Sequence, residues 1–174
     1  MSLKTPDENQ IKVVWVTGLP GSGKTTFSRG LHLFLQNALT NTVLLDGDDL
    51  REVFNHKFGY TKDERIQVSR IYINLAKMLA RQGIVVIVST VSMFNEVFTY
   101  LKEEIPSVRV VFIDANHSLL DSRNQKQLRS TGAQNSPGVS LKVDYPNKPF
   151  VRLNGDENQG KLESIYDLLL ESFQ

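Results

Sequence analysis

Short apolar runs alternate along the chain with segments whose apolar residues recur every three or four positions. Val13-Val14-Trp15-Val16 is a β-branched run that ends in Thr17-Gly18, and it predicts a first strand. Phe27, Leu31, Phe34, Leu35 and Ala38 then mark one face of a helix. Val43-Leu44-Leu45 closes on Asp46-Gly47 as a second strand, and Ile84-Val85-Val86-Ile87-Val88 is a third, entered through the helix-stopping Gly83. Val110-Val111-Phe112-Ile113 closes on Asp114 as a fourth, and Val151-Arg152-Leu153 is a weaker fifth. Further helices are predicted around Ile66, Ile71, Leu75, Met78 and Leu79, around Phe94, Val97, Phe98 and Leu101 up to Pro106, and around Leu162, Ile165, Leu168, Leu169 and Phe173. The strands are continuously apolar rather than alternating, so both of their faces should be buried. The expectation is one α/β domain over residues 1–174, doubly wound, with a parallel sheet flanked by helices.

One interval breaks this rhythm. From about Gln125 to Lys148 there is little periodicity, and Gly132, Pro137 and Gly138 interrupt it. Unpatterned connections beyond about 12–15 residues in a compact domain are usually lids or binding loops. A lid over 125–148 is therefore expected, with a plain connector as the alternative.

Composition narrows the function classes. Apolar residues make up 40% and charged residues 22% of the 174, which is globular. Twenty Lys+Arg against nineteen Asp+Glu give a net charge of +1, which removes the usual reason to expect nucleic-acid binding. With no Cys there is no disulfide framework, thiolate metal site or thiol nucleophile. No run approaches the ~18 apolar residues of a membrane span. Met1 to Gln10 lacks the apolar core of a secretion signal, so no membrane partner and a cytoplasmic location are expected.

The chemistry is concentrated after the first strand. Gly18-Leu19-Pro20-Gly21-Ser22-Gly23-Lys24-Thr25 matches the phosphate-binding loop G-x-x-x-x-G-K-[ST] at every position, with Thr26 beside it. The glycines let backbone N–H groups turn inward around phosphate oxygens. Lys24 is expected between the β- and γ-phosphates of ATP, and the Thr25 hydroxyl on Mg²⁺. A GTP switch is disfavoured. The chain has no D-x-x-G, and Thr61-Lys62-Asp63-Glu64 and Asn147-Lys148-Pro149-Phe150 both fail the guanine-reading pattern. A remodelling ATPase would carry an Asp where the third strand ends, but Ser89-Thr90 stands there. A small-molecule kinase needs only the loop, a base and a closing lid.

Asp46-Gly47-Asp48-Asp49-Leu50-Arg51 follows the second strand at the rim where open α/β sheets bind ligands. Asp48 is the expected general base for a hydroxyl acceptor. Asp46 is expected to orient Mg²⁺ through water, and Arg51 to grip substrate phosphate. Alternatively, Asp48 or Asp49 simply caps the helix that follows, a role expected of one of the turn's three acids.

The phosphate-binding loop, Leu45-Asp46-Gly47-Asp48-Asp49-Leu50-Arg51, and Phe58-Gly59-Tyr60-Thr61 with Asp63, Arg65 and Arg70 together resemble the adenylylsulfate kinase family. The resemblance is dense up to about Gly83 and thin beyond. It implies a MgATP-dependent kinase of sulfate assimilation, usually a homodimer, acting on the ribose 3′-hydroxyl of adenylyl sulfate. It further implies Asp48 as base, Arg51 and Arg65 as anion clamps, and Tyr60 as a plate against the acceptor base. Ser92 falls where the family has a serine sometimes described as a phosphorylated intermediate, although direct in-line transfer needs no covalent step. Arg123 matches a cation of the lid entry on the ATP side, and Lys126 one on the substrate side.

Several positions depart from the family pattern. Met93-Phe94-Asn95 stands where the family has Pro, an aromatic and Arg. Val68 stands for an Asn, and Ser136-Pro137-Gly138 for an aromatic before Thr-Gly. These losses leave room for another small nucleotide as acceptor, such as cytidine diphosphoramidate in capsule synthesis, or for a non-catalytic nucleotide-binding module. Arg123, Lys126 and Arg129 share one helical face, either solvated or facing a triphosphate. Phe94 is read as core in preference to a stacking role, and Trp15 as core.

Overall fold

The computed structural model describes residues 11–39, 41–115, 137–138 and 140–173. Its strands are β1 (Val13–Thr17), β2 (Thr42–Asp46), β3 (Val85–Thr90), β4 (Arg109–Asp114) and β5 (Val151–Asn154). Its helices are α1 (Lys24–Ala38), α2 (Gly47–Val53), α3 (Lys62–Ala80), α4 (Asn95–Glu104) and α5 (Gln159–Glu171). The sheet runs β2-β3-β1-β4-β5, and every neighbouring pair is parallel.

The continuous apolar strands are explained by burial on both sides. Val13 and Trp15 of β1 face a core built with Val68, Tyr72, Ile73 and Ala76 of α3 and Val97 and Leu101 of α4. Val14 and Val16 face the opposite core, with Phe27, Leu31 and Leu35 of α1 and Ile165, Tyr166 and Leu169 of α5. Trp15 is fully buried, and Phe94 is buried in the first core, as read from its spacing.

Helix starts follow from local chemistry in most cases. Thr61 and Glu64 form a reciprocal capping box at α3, and Asn158 caps α5 through the Lys161 N–H. Helix α4 is preceded by Phe94, which has no capping side chain. Its cap comes instead from Asp144, 49 residues away, whose Oδ2 accepts the Asn95 N–H at 3.0 Å. The Asp144 N–H in turn donates to the Met93 carbonyl at 2.9 Å. Within the interval expected as a lid, 125–136 and Val139 lie outside the described residues. The described remainder packs on the body: Val143 joins Leu19, Met93 and Phe112, and the Tyr145 ring meets Phe112 edge-on at 5.6 Å. Replacing Asp144 by Ala should cost about 0.5–2 kcal/mol, the range of a lost N-cap, measured as a shift in urea midpoint at unchanged slope.

Candidate active site

The loop between β1 and α1 has a shape that only glycine permits at its entry. A Cβ on Gly18 would lie 2.4 Å from the Ile113 carbonyl oxygen and 2.8 Å from Ser22 Oγ. Gly23, at φ 98°, sits in the left-handed region as the residue that opens α1. The loop therefore wraps the N-terminus of a 15-residue helix, where free N–H groups and the helix dipole favour an anion. Lys24 is buried, and its Nζ donates to the Leu19 carbonyl at 2.8 Å. Burial pushes its ammonium down to about 8, against the opposing pull of Asp48 first and Asp46 second. An incoming triphosphate would add to the counter-charge that Asp48 and Asp46 already supply to the buried lysine.

Asp46 ends β2 and joins the phosphate loop to the acidic turn. Its Oδ2 accepts from the Thr25 hydroxyl at 3.1 Å, and its Oδ1 accepts from the Asp48 N–H at 3.0 Å. The capping role, assigned in the sequence to Asp48 or Asp49 as an alternative, thus falls to Asp46. The reason is geometric: the residue at the strand end keeps extended backbone, which leaves its carboxylate beside the first N–H groups of α2. Asp48 and Asp49 are consequently exposed at the sheet rim. Thr25 and Asp46 form a hard-oxygen pair suited to Mg²⁺, which takes few protein ligands and completes its shell with phosphate oxygens and water. Among the described residues no group of three or more His, Asp or Glu could hold a metal unaided.

Two guanidiniums meet at the Tyr60 ring. Arg51 lies 4.5 Å and Arg65 5.2 Å from the centre of the Tyr60 ring. Arg51 donates to the carbonyls of Phe58 (2.9 Å) and Gly59 (3.3 Å), and Arg65 Nε donates to that of Tyr60 (2.9 Å). Burial, with the Arg51 charge second, pulls Arg65 down to about 10. Two cations held this close are an arrangement that an anion relieves. A base stacking on the half-exposed Tyr60 must compete with a guanidinium for its ring.

Ser92 is buried behind this cluster. Its hydroxyl is hydrogen-bonded to Ser69 and, at 3.0 Å, to Thr90, while Ser69 Oγ lies 2.6 Å from the Arg65 carbonyl oxygen. Arg123, Lys126 and Arg129 lie outside the described residues. Sequence reasoning missed Ser69, Tyr72 and Gly155. A Cβ on Gly155 would lie 2.8 Å from the Ser22 carbonyl oxygen, so the turn after β5 closes against the phosphate loop. The Asn154-Gly155 pair after the last strand was its available signal. Nothing local marks Ser69 or Tyr72, which lie inside a regular helix.

The adenylylsulphate kinase family model matches residues 10–154. The chain belongs to the adenylylsulfate kinase family. Within that family it is 34% identical over 168 residues to the cytidine diphosphoramidate kinase of Campylobacter jejuni, covering 94% of this chain and 97% of the relative. It is 34% identical over 148 residues to the adenylyl-sulfate kinase of Pseudomonas aeruginosa, covering 82% and 76%. The structure of the Mycobacterium tuberculosis APS kinase in complex with AMPPNP and APS superposes with a TM-score of 0.79 at 26% identity, covering 92% and 97%. Family and fold together make this chain an ATP-dependent phosphotransferase, as its phosphate loop predicted. No helix among the described residues is long and apolar enough to cross a membrane.

Proposed function

We propose that this adenylylsulfate kinase relative transfers the γ-phosphoryl of ATP to the ribose 3′-hydroxyl of a small nucleotide whose 5′-phosphate carries a second anionic group. The observation that carries this reading is the convergence of Arg51 and Arg65 on Tyr60, with Arg51 on the same short helix as Asp48. In this reading the N–H groups of residues 18–25 and the Lys24 ammonium hold the β- and γ-phosphates. Asp48 takes the proton of the attacking hydroxyl, which then forms the new P–O bond as ADP leaves. Arg51 and Arg65 hold the acceptor's 5′ anion, so the 3′-hydroxyl lies within reach of Asp48. Thr25 and Asp46 would hold Mg²⁺, which would supply neutralisation of phosphate charge there. Arg123 and Lys126 are assigned to the lid in the same reading, and Ser92, with its hydroxyl already bonded to Ser69 and Thr90, holds structure without a covalent step. The family's homodimer carries over as part of the proposal and is tested by sedimentation.

Cytidine diphosphoramidate is the acceptor we favour, and adenylyl sulfate is the second reading. A phosphoramidate end and a sulfate end are both tetrahedral and singly charged, so one pair of arginines serves either. They differ in that phosphoramidate offers an NH₂ donor where sulfate has only acceptor oxygens. The family's arginine after the serine, a donor suited to sulfate, is Asn95 here, which is exposed at the start of α4. The long alignment with the Campylobacter enzyme points the same way. Adenylyl sulfate retains the support of the family match.

The test is ADP release, coupled to a dehydrogenase, with cytidine diphosphoramidate, adenylyl sulfate, CDP and CMP. The highest kcat/KM is expected with cytidine diphosphoramidate. A preference for adenylyl sulfate reverses the order of the two readings, and release unstimulated by any nucleotide leaves a binding module. Arg51→Gln and Arg65→Gln should each raise the acceptor KM about 10- to 100-fold, as expected for a lost charge-assisted hydrogen bond, with the ATP KM unchanged.

A further inference from the structure

We propose that Tyr72 is a positioning residue of the acceptor site, holding α2 at both of its ends so that Asp48 and Arg51 keep their places relative to the phosphate loop. The inference rests on the reading that α2 carries the base and one of the clamps. Tyr72 lies in the middle of α3, seven residues and two turns after Arg65, and so on the same helical face. Its ring is buried and lies nearly parallel to the Phe54 ring, with centroids 6.4 Å apart and planes at 17°. Phe54 is the residue that closes α2.

At the other end of α2 the Tyr72 hydroxyl donates to the Gly47 carbonyl at 3.3 Å. Gly47 lies between Asp46 and Asp48 and has little freedom on its far side, where a Cβ would meet the Ser89 carbonyl oxygen at 3.2 Å and Thr90 Oγ1 at 3.3 Å. The seven-residue α2 is too short to hold itself in water, so its orientation depends on such contacts. Burial pushes the phenol up to about 12, which keeps it a donor throughout the working pH range. The carbonyl it holds belongs to Gly47, between Asp46 and Asp48, so the hydroxyl lies against the acidic turn of the acceptor site. One side chain thereby ties the helix bearing Arg65 to the helix bearing Asp48 and Arg51.

Tyr72→Phe removes only the hydroxyl and keeps the ring against Phe54. We expect kcat/KM for the acceptor to fall about 3- to 30-fold, with most of the loss in kcat and with the ATP KM within twofold of wild type, because small misplacements of a reacting group are costly. Hydrogen exchange provides a readout that needs no acceptor. Peptides spanning 46–53 should exchange about threefold to tenfold faster in Tyr72→Phe, the effect of one lost hydrogen bond, while those of α1 do not change. Wild-type exchange over 46–53 overturns the proposal, and so do wild-type acceptor kinetics or a parallel rise in the ATP KM. If the wild-type enzyme phosphorylates no nucleotide, the proposed function fails, and the exchange result still decides whether Tyr72 holds α2.

Discussion

Lys24→Ala is expected to lower phosphoryl transfer by about 10³-fold or more, since it removes the cation that follows charge onto the β/γ bridge in the transition state. The fold should survive. The buried ammonium donates to one carbonyl of the loop, and burial disfavours its charged form. The pH dependence has a definite sign. The folded pKa of about 8 lies below the ordinary lysine value of 10.5, so the unfolded chain holds more protons between them. Stability of the nucleotide-free protein from this group should therefore rise as pH increases from about 8 to 10.5, and Lys24→Ala should lose that rise. ATP affinity should move the opposite way, weakening above pH 8 as the lysine must regain its proton to bind. Isothermal titration between pH 7 and 9.5 measures this directly. An affinity that stays flat across that range, together with wild-type ATP affinity in Lys24→Ala, would remove Lys24 from the phosphate contact.

Asp48→Ala should leave ATP binding within a few-fold of wild type and reduce kcat by about 10²–10⁴, the range of a lost general base. Asp48→Asn should be nearly as impaired, because an amide keeps the shape but cannot accept the proton. The structure also separates Asp48 from the neighbouring acid. Asp46 caps α2 and holds the Thr25 hydroxyl, so Asp46→Ala should lower stability and weaken the metal dependence together. An Asp48→Ala enzyme with normal kcat would leave Asp48 as no more than a surface acid in the first turn of α2.

The residues that could be read from the sequence share a physical property: their roles are local. The strands show as continuous β-branched runs because both faces of a parallel sheet are buried, and Val13 to Val16 send alternate side chains to two different cores. The phosphate loop shows because its backbone geometry restricts residue type at Gly18 and Gly23. Arg51, Tyr60 and Arg65 were placed by motif, and the structure brings all three into one cluster. Capping was foreseen for one of the three acids of this turn, and the structure gives it to Asp46, on which β2 ends. What stayed hidden depends on contacts far apart in the chain. Asp144 caps a helix 49 residues earlier. Gly155 abuts a carbonyl of the first loop, and Tyr72 reaches a turn 25 residues before it. Gly155 leaves only the local Asn-Gly turn pair, and the other two leave no periodic or motif signature.

The central claim is that the terminal phosphoryl of ATP is directed at a ribose hydroxyl beside Asp48. Phosphorus NMR of a completed reaction with ATP and cytidine diphosphoramidate or adenylyl sulfate reads this most directly. One new 3′-phosphomonoester on the acceptor is expected for each ADP formed, with the 5′ group intact. ADP accompanied only by inorganic phosphate, or a phosphoryl group added to the 5′ chain, would contradict it.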